Sequence, residues 1–198
     1  MNIIYYTFID NGITPDFIVK NQLRQNYING ISNTDRKHQS FAVWKLLEYA
    51  TKLNFGTSFD YVEKNGKWET TNGKFYFSLS HSKNMAVVCI SKDKNVGVDC
   101  ELVSYKALKL EKYFGLIKTE FKSIYEKKKY LTRLWCKKES QIKSGLNLSG
   151  NYRFIKDNCD EYCVYSLPKD KIKIVYDDIT YLCEITDNNN IKFDVLSE

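Results

Sequence analysis

The chain has 198 residues and a net charge of +6, with 43% hydrophobic and 15% aromatic residues. That is enough apolar material for one domain with its own core, and too aromatic a composition for intrinsic disorder. Two Pro and nine Gly exclude collagen and Gly- or Pro-rich low complexity, and no apolar run approaches the ~18 residues of a membrane span.

Residues Ile3–Ile9 predict a strand rather than a signal peptide, since no basic region precedes them and Asp10 follows. A turn is expected at Asp10-Asn11-Gly12, then a mixed segment to Gly30. A long helix begins near Asn33-Thr34-Asp35, capped by Thr34 or Asp35, with Phe41, Trp44, Leu47 and Ala50 at helical spacing. A polar stretch, Glu63–Lys67, and a turn at Asn72-Gly73 lead to three strands, Phe75–Leu79, Met85–Ile90 and Asn95–Glu101, the last two joined by a turn over Ser91–Asn95. A second helical region covers 119–144, interrupted near Glu126 and closed by Gly145. Further strands are expected at Tyr162–Leu167, Ile172–Tyr176, Thr180–Ile185 and Ile191–Leu196, with a hairpin turn at Asp187–Asn190.

This order argues for an α+β fold rather than parallel β/α alternation. Two approximate halves, 1–101 and 102–198, each place a long helix before strands, so a single pseudo-duplicated domain is expected. The six cysteines contain no C-x-x-C pair, and only two histidines are present. The cysteines therefore read as small buried hydrophobes of a reducing, cytoplasmic compartment rather than as zinc ligands.

The positive charge is concentrated: residues 1–101 carry +2, 102–143 carry +8 and 144–198 carry −4. Such a segment suits a polyanion, whether nucleic acid, a phosphorylated cofactor or an acidic protein, or it is a solvated helical face.

Three places break local rules. In Val96-Gly97-Val98-Asp99-Cys100-Glu101, strand alternation puts Val96, Val98 and Cys100 on one face and both carboxylates on the other. Paired carboxylates need a proton or a cation, and an all-oxygen pair suits Mg²⁺, although an acidic outer face is the plainer reading. In Leu131–Lys143, Leu131, Trp135 and Ile142 form an apolar stripe on which Glu139 also falls, with Lys143 one turn on. A carboxylate there must be paired or bound to a cation, an ordinary Glu139–Lys143 surface pair being the alternative. In Phe77-Ser78-Leu79-Ser80-His81-Ser82, a strand is expected to end in a hydroxyl-rich turn able to hold a phosphate. A Ser–His hydrolase is the rival, but no G-x-S-x-G surrounds a serine there.

Taken in order, these three motifs resemble the 4′-phosphopantetheinyl transferase superfamily, whose pattern is (F)-(N/S)-(I/L)-S-H-S, (V/I)-G-(V/I)-D-x-E and W-x-x-K-E-(S/A)-x-x-K. The length is similar to its longer, pseudo-dimeric type, which serves peptide and polyketide synthases. The resemblance spans about residues 66–148. It implies that Asp99, Glu101 and Glu139 hold Mg²⁺ against the coenzyme A pyrophosphate, that Lys138 and Lys143 neutralise phosphate, and that Ser80 and His81 meet the 3′-phosphate end. Gly66-Lys67 resembles the family's G-K-P element, with Trp68 where Pro is expected. A basic residue near the first long helix is implied at Arg36, Lys37 or His38.

The implied reaction moves 4′-phosphopantetheine from coenzyme A to a serine of an apo acyl, peptidyl or polyketide carrier protein and releases 3′,5′-ADP. Glu139, a metal-bound water or Glu120, in the Tyr113-Phe114…Thr119-Glu120 element, would take the serine proton. The resemblance implies a cytoplasmic monomer that engages neither nucleic acid nor membrane. Rival expectations are a catalytically inactive coenzyme A or carrier-protein binder of the same fold, a basic nucleic-acid-binding module using residues 106–143, and a hydrolase that gives water the same group.

Overall fold

A computed structural model describes residues 2–9, 18–92, 95–116, 120–168 and 172–176, the last as main chain only. In chain order the elements are β1 (Asn2–Phe8), α1 (Gln22–Asn29), α2 (Thr34–Phe55), β2 (Tyr61–Lys64), β3 (Lys67–Thr70), β4 (Tyr76–Ser82), β5 (Met85–Ser91) and β6 (Gly97–Leu102). A 3₁₀ turn over Tyr105–Lys109 then leads into α3 (Leu110–Tyr113), followed by α4 (Ile124–Ser144), β7 (Asn151–Asp157), β8 (Asp160–Leu167) and β9 (Ile172–Tyr176). The class is α+β. The strands expected at 180–185 and 191–196 and the turns at 10–12 and 187–190 lie outside the described residues.

The two larger sheets pack face to face. One has the order β4-β5-β1-β9 and the other β6-β8-β7. All ladders are antiparallel except β1 with β9. Alternation along β5 sends Ala86, Val88 and Ile90 to α2, where they join Phe41, Trp44 and Leu47. It sends Met85, Val87 and Cys89 the other way, to a second core with Val98, Cys100, Tyr162 and Val164. The outer face of the second sheet is covered by α4, so the layers run helix, sheet, sheet, helix.

Several local expectations are corrected. Asn33, rather than Thr34 or Asp35, caps α2, its side chain accepting from the Arg36 amide. The second helical region is not interrupted near Glu126. It starts at Ile124, where Ser123 accepts from the Glu126 amide, and it ends on Gly145 in the left-handed region. The polar stretch Glu63–Lys67 is a hairpin: Asn65 and Gly66 both have positive φ, as a tight two-residue turn requires, and they join β2 to β3. β4 does not turn at His81 but runs through Ser82. Cys89, Cys100, Cys136 and Cys163 are buried thiols, whereas Cys159 is exposed. No described helix is long and apolar enough to cross a membrane.

The apolar stripe expected on α4 is also different. Leu131 is buried, but Ile142 is 63% exposed. The face turned to the sheet is Thr132, Cys136, Ser140 and Ser144, at four-residue intervals. Small side chains let the helix axis approach β6 closely. A Cβ added at Gly97 would lie 2.0 Å from the Ser140 carbonyl oxygen, so glycine is the residue that fits under this crossing.

Candidate functional site

The site begins with the two-faced strand β4. Phe77, Leu79 and His81 point to the α2 side, and Ser78, Ser80 and Ser82 point to β6. On the α2 side lies a cavity of about 380 Å³ whose walls include Arg24 and Tyr27 of α1, Arg36 of α2, Gly66 and Trp68 of the hairpin, and His81. A second cavity of about 330 Å³ adjoins it, lined by Lys67, Ile142 and Lys143 and sharing Gly66, Trp68 and Leu79. Arg36, Ser80 and His81 thus share one cavity, and Lys67 and Lys143 share the next. Of Arg36, Lys37 and His38, only Arg36 lines the first cavity.

Arg24 was not singled out in the sequence. It is a lone basic residue in a short helix, with no motif around it. Its guanidinium is buried, donates to the Ser40 hydroxyl at 2.7 Å and the Ser40 carbonyl at 3.2 Å, and stacks on Tyr27 and Trp44. Burial lowers its pKa to about 10, so it stays charged at neutral pH. No described carboxylate lies within ion-pair distance of it. Its hydrogen-bond partners are neutral, and Glu63, which lines the same cavity, acts on it only through space; with Arg36 alongside, cations outnumber carboxylates in this lining, which suits an anion.

Burial pushes the His81 imidazole down to about 4, and the charges of Lys143, Arg24 and Arg36 push it the same way. His81 is therefore neutral in the fold and protonated in the unfolded chain between about pH 4 and 6.5. Its contribution to stability is present above pH 6.5 and is lost as pH falls through 4. Relative to wild type, His81→Gln should flatten the loss of stability between those values, by on the order of 2 kcal/mol, measured as Tm against pH. An identical slope in both proteins would place His81 in open solvent.

On the β6 side, Asp99 and Glu101 share the face covered by α4. Cross-strand pairing puts Asp99 opposite Tyr165 and Glu101 opposite Cys163, both of which belong to the α4-facing layer. Asp99 is buried and accepts from the Ser80 hydroxyl at 2.8 Å and the Lys143 ammonium at 2.7 Å. Lys143 also donates to the Val98 carbonyl at 3.1 Å. It therefore pairs with β6 rather than with Glu139, and it lies between the second cavity and the carboxylates. Glu101 is half-buried and accepts from the Ser82 hydroxyl at 2.7 Å. Burial raises its pKa and the neighbouring Asp99 adds to this, while the Ser82 bond opposes it. Glu139 sits one turn before Lys143 on the same side of α4, half-buried, without an ion pair to any described residue.

Two expected residues lie elsewhere. Lys138 stacks on the Tyr113 ring, 4.2 Å from its centroid, and lines neither cavity. Glu120 is exposed and lines neither cavity. Among the described residues no three His, Cys, Asp or Glu side chains form a ready-made metal cluster. The oxygen-only pair of Asp99 and Glu101 nevertheless fits a hard divalent cation of the Mg²⁺ kind. Such an ion takes one or two carboxylates and completes its shell with water or substrate phosphate. No family model matches the chain, and no curated protein matches it.

Proposed function

We propose that the protein is a 4′-phosphopantetheinyl transferase, with the pseudo-duplicated fold of that superfamily. It would transfer the phosphopantetheine group of coenzyme A to a serine of an apo carrier protein. The observation that carries this reading is the continuity of the two cavities with the carboxylate pair through Lys143. A polyanion with a 3′-phosphate and a 5′-pyrophosphate on its ribose would find cations along that whole path: Arg24, Arg36, Lys67 and Lys143.

The 3′-phosphate of coenzyme A would sit against Arg24 and Arg36, with neutral His81 offering a ring N–H. The pyrophosphate would lie toward Lys143, Asp99 and Glu101. These two carboxylates would hold the Mg²⁺, whose charge offsets that of the pyrophosphate. The carrier serine oxygen bonds to the β-phosphorus, the bond from that phosphorus to the bridging oxygen breaks, and the electron pair leaves with 3′,5′-ADP. The serine proton passes to Glu139. Neither Glu139 nor Glu120 lines a cavity; Glu139 is favoured because it is half-buried on α4 one turn before Lys143, whose ammonium reaches Asp99, whereas Glu120 is exposed. The basic surface of residues 102–143 would attract an acidic carrier protein.

Binding of 3′,5′-ADP, followed by calorimetry, tests the anion end of the site. Arg24→Met keeps the apolar stem and should weaken binding ~10- to 100-fold, the loss of one charge-assisted phosphate contact. Stability should change little, because the loss of the Ser40 bonds is offset by relief of a buried charge and the apolar stem is kept. Undiminished affinity would remove the first cavity from the coenzyme A path.

A further inference from the structure

We propose that Ser80 and Ser82 are positioning residues for divalent-cation binding: their hydroxyls aim the Asp99 and Glu101 carboxylates. The inference rests on the reading of those carboxylates as the Mg²⁺ site. It departs from the expectation that Ser80 is itself a phosphate contact.

β4 and β6 are neighbours without a main-chain ladder between them. The ladder partner of β4 is β5, and that of β6 is β8. The outer amides of β6 are satisfied instead by serine side chains. Ser78 accepts from the Val98 amide at 3.0 Å, Ser80 from Cys100 at 3.2 Å and Ser82 from Leu102 at 3.1 Å. The two-residue period of both strands makes the three contacts a repeat.

A serine hydroxyl has one proton and two lone pairs. Once its oxygen accepts a fixed amide, its proton is free to be aimed. The proton of Ser80 goes to Asp99 Oδ1 at 2.8 Å, and that of Ser82 to Glu101 Oε1 at 2.7 Å. Every described hydrogen bond to these carboxylates falls on the same oxygen of each: Lys143 on Asp99 Oδ1 and the Leu102 amide on Glu101 Oε1. Among the described residues, Asp99 Oδ2 and Glu101 Oε2 accept none. One oxygen of each carboxylate is thus anchored, and the other is left for a cation. Ser78 makes the amide bond but holds no carboxylate, which supplies an internal control.

The test is direct Mn²⁺ binding to the full chain, followed by the spin-resonance signal of free Mn²⁺, with thermal unfolding measured in parallel. Ser82→Ala and Ser80→Ala should each weaken Mn²⁺ binding ~10-fold or more, the usual effect of losing a hydrogen bond to a ligating carboxylate. Ser82→Thr, which keeps the hydroxyl, should restore it. Ser78→Ala should lower the melting temperature much as Ser82→Ala does and leave Mn²⁺ affinity unchanged. Should Ser80→Ala fail to fold, the Ser82 pair carries the comparison. If wild type binds Mn²⁺ and the three alanine variants shift affinity equally, or none does, the positioning role is overturned while the cation site stands. If wild type binds no Mn²⁺, both are overturned.

Discussion

Glu139→Gln should lower phosphopantetheine transfer by ~10²- to 10⁴-fold, the range for removing a positioned acid–base group, while the melting temperature stays at the wild-type value. The second half of that expectation follows from the packing. Glu139 makes no hydrogen bond or ion pair with a described residue, and Gln keeps its volume, so the fold has nothing to lose. Lys143→Met is the contrasting case. Lys143 is bonded at 2.7 Å to the buried Asp99 carboxylate and at 3.1 Å to the Val98 carbonyl. Removing it strands Asp99 without its cation, so stability and transfer should fall together. The pair of variants separates chemistry from folding. Single-turnover transfer and thermal unfolding on the same preparations check both. Full activity in Glu139→Gln would take Glu139 out of the site.

The second large effect is expected for Gly97→Ala, at an uncharged position where α4 crosses β6. Its backbone needs no special dihedral; what it lacks is room. A Cβ would stand 2.0 Å from the Ser140 carbonyl oxygen and 3.0 Å from the Ser144 Cβ. Since the nearest atoms are backbone, α4 as a whole must move off β6. Overpacking of this kind costs about 3 kcal/mol, or roughly 6–12 °C in Tm for a chain of this size. The displacement also carries Lys143 away from Asp99, so transfer should fall further than the loss of folded protein explains. Gly30→Ala is the comparison: Gly30 has φ of −74°, and its added Cβ meets nothing closer than 3.5 Å. It should be tolerated within ~0.5 kcal/mol. Equal melting temperatures for the two variants would mean that α4 does not cross β6 as closely as described.

The α+β class, the long helices and the alternation of Val96, Val98 and Cys100 against Asp99 and Glu101 were legible, because each rests on periodicity within one element. What escaped the sequence rests on contacts between elements. Ser80 and Ser82 read as a turn at the end of the strand because Ser favours turns. In the fold they serve as substitute ladder partners for β6, and nothing local reveals that. The buried face of α4 escaped a search for large apolar residues, because a close helix–sheet crossing selects Thr132, Cys136, Ser140 and Ser144 instead. Arg24 was invisible for the same reason: its significance comes from Tyr27 on its own helix, Arg36 and Trp44 on α2 and His81 on β4. The β2–β3 hairpin, by contrast, carried a signal that went unused, an Asn65-Gly66 dipeptide between Tyr61-Val62 and Trp68.

The most direct test of the central claim is the intact mass of apo carrier proteins from fatty-acid, polyketide and peptide synthases, each incubated with this protein and coenzyme A, in Mg²⁺ or in EDTA. The account predicts a gain of one phosphopantetheine on at least one carrier, with stoichiometric 3′,5′-ADP, in Mg²⁺ alone. Release of 3′,5′-ADP without a carrier would instead identify a hydrolase. No mass gain on any carrier, together with no rise in melting temperature on adding coenzyme A and Mg²⁺, would contradict the account.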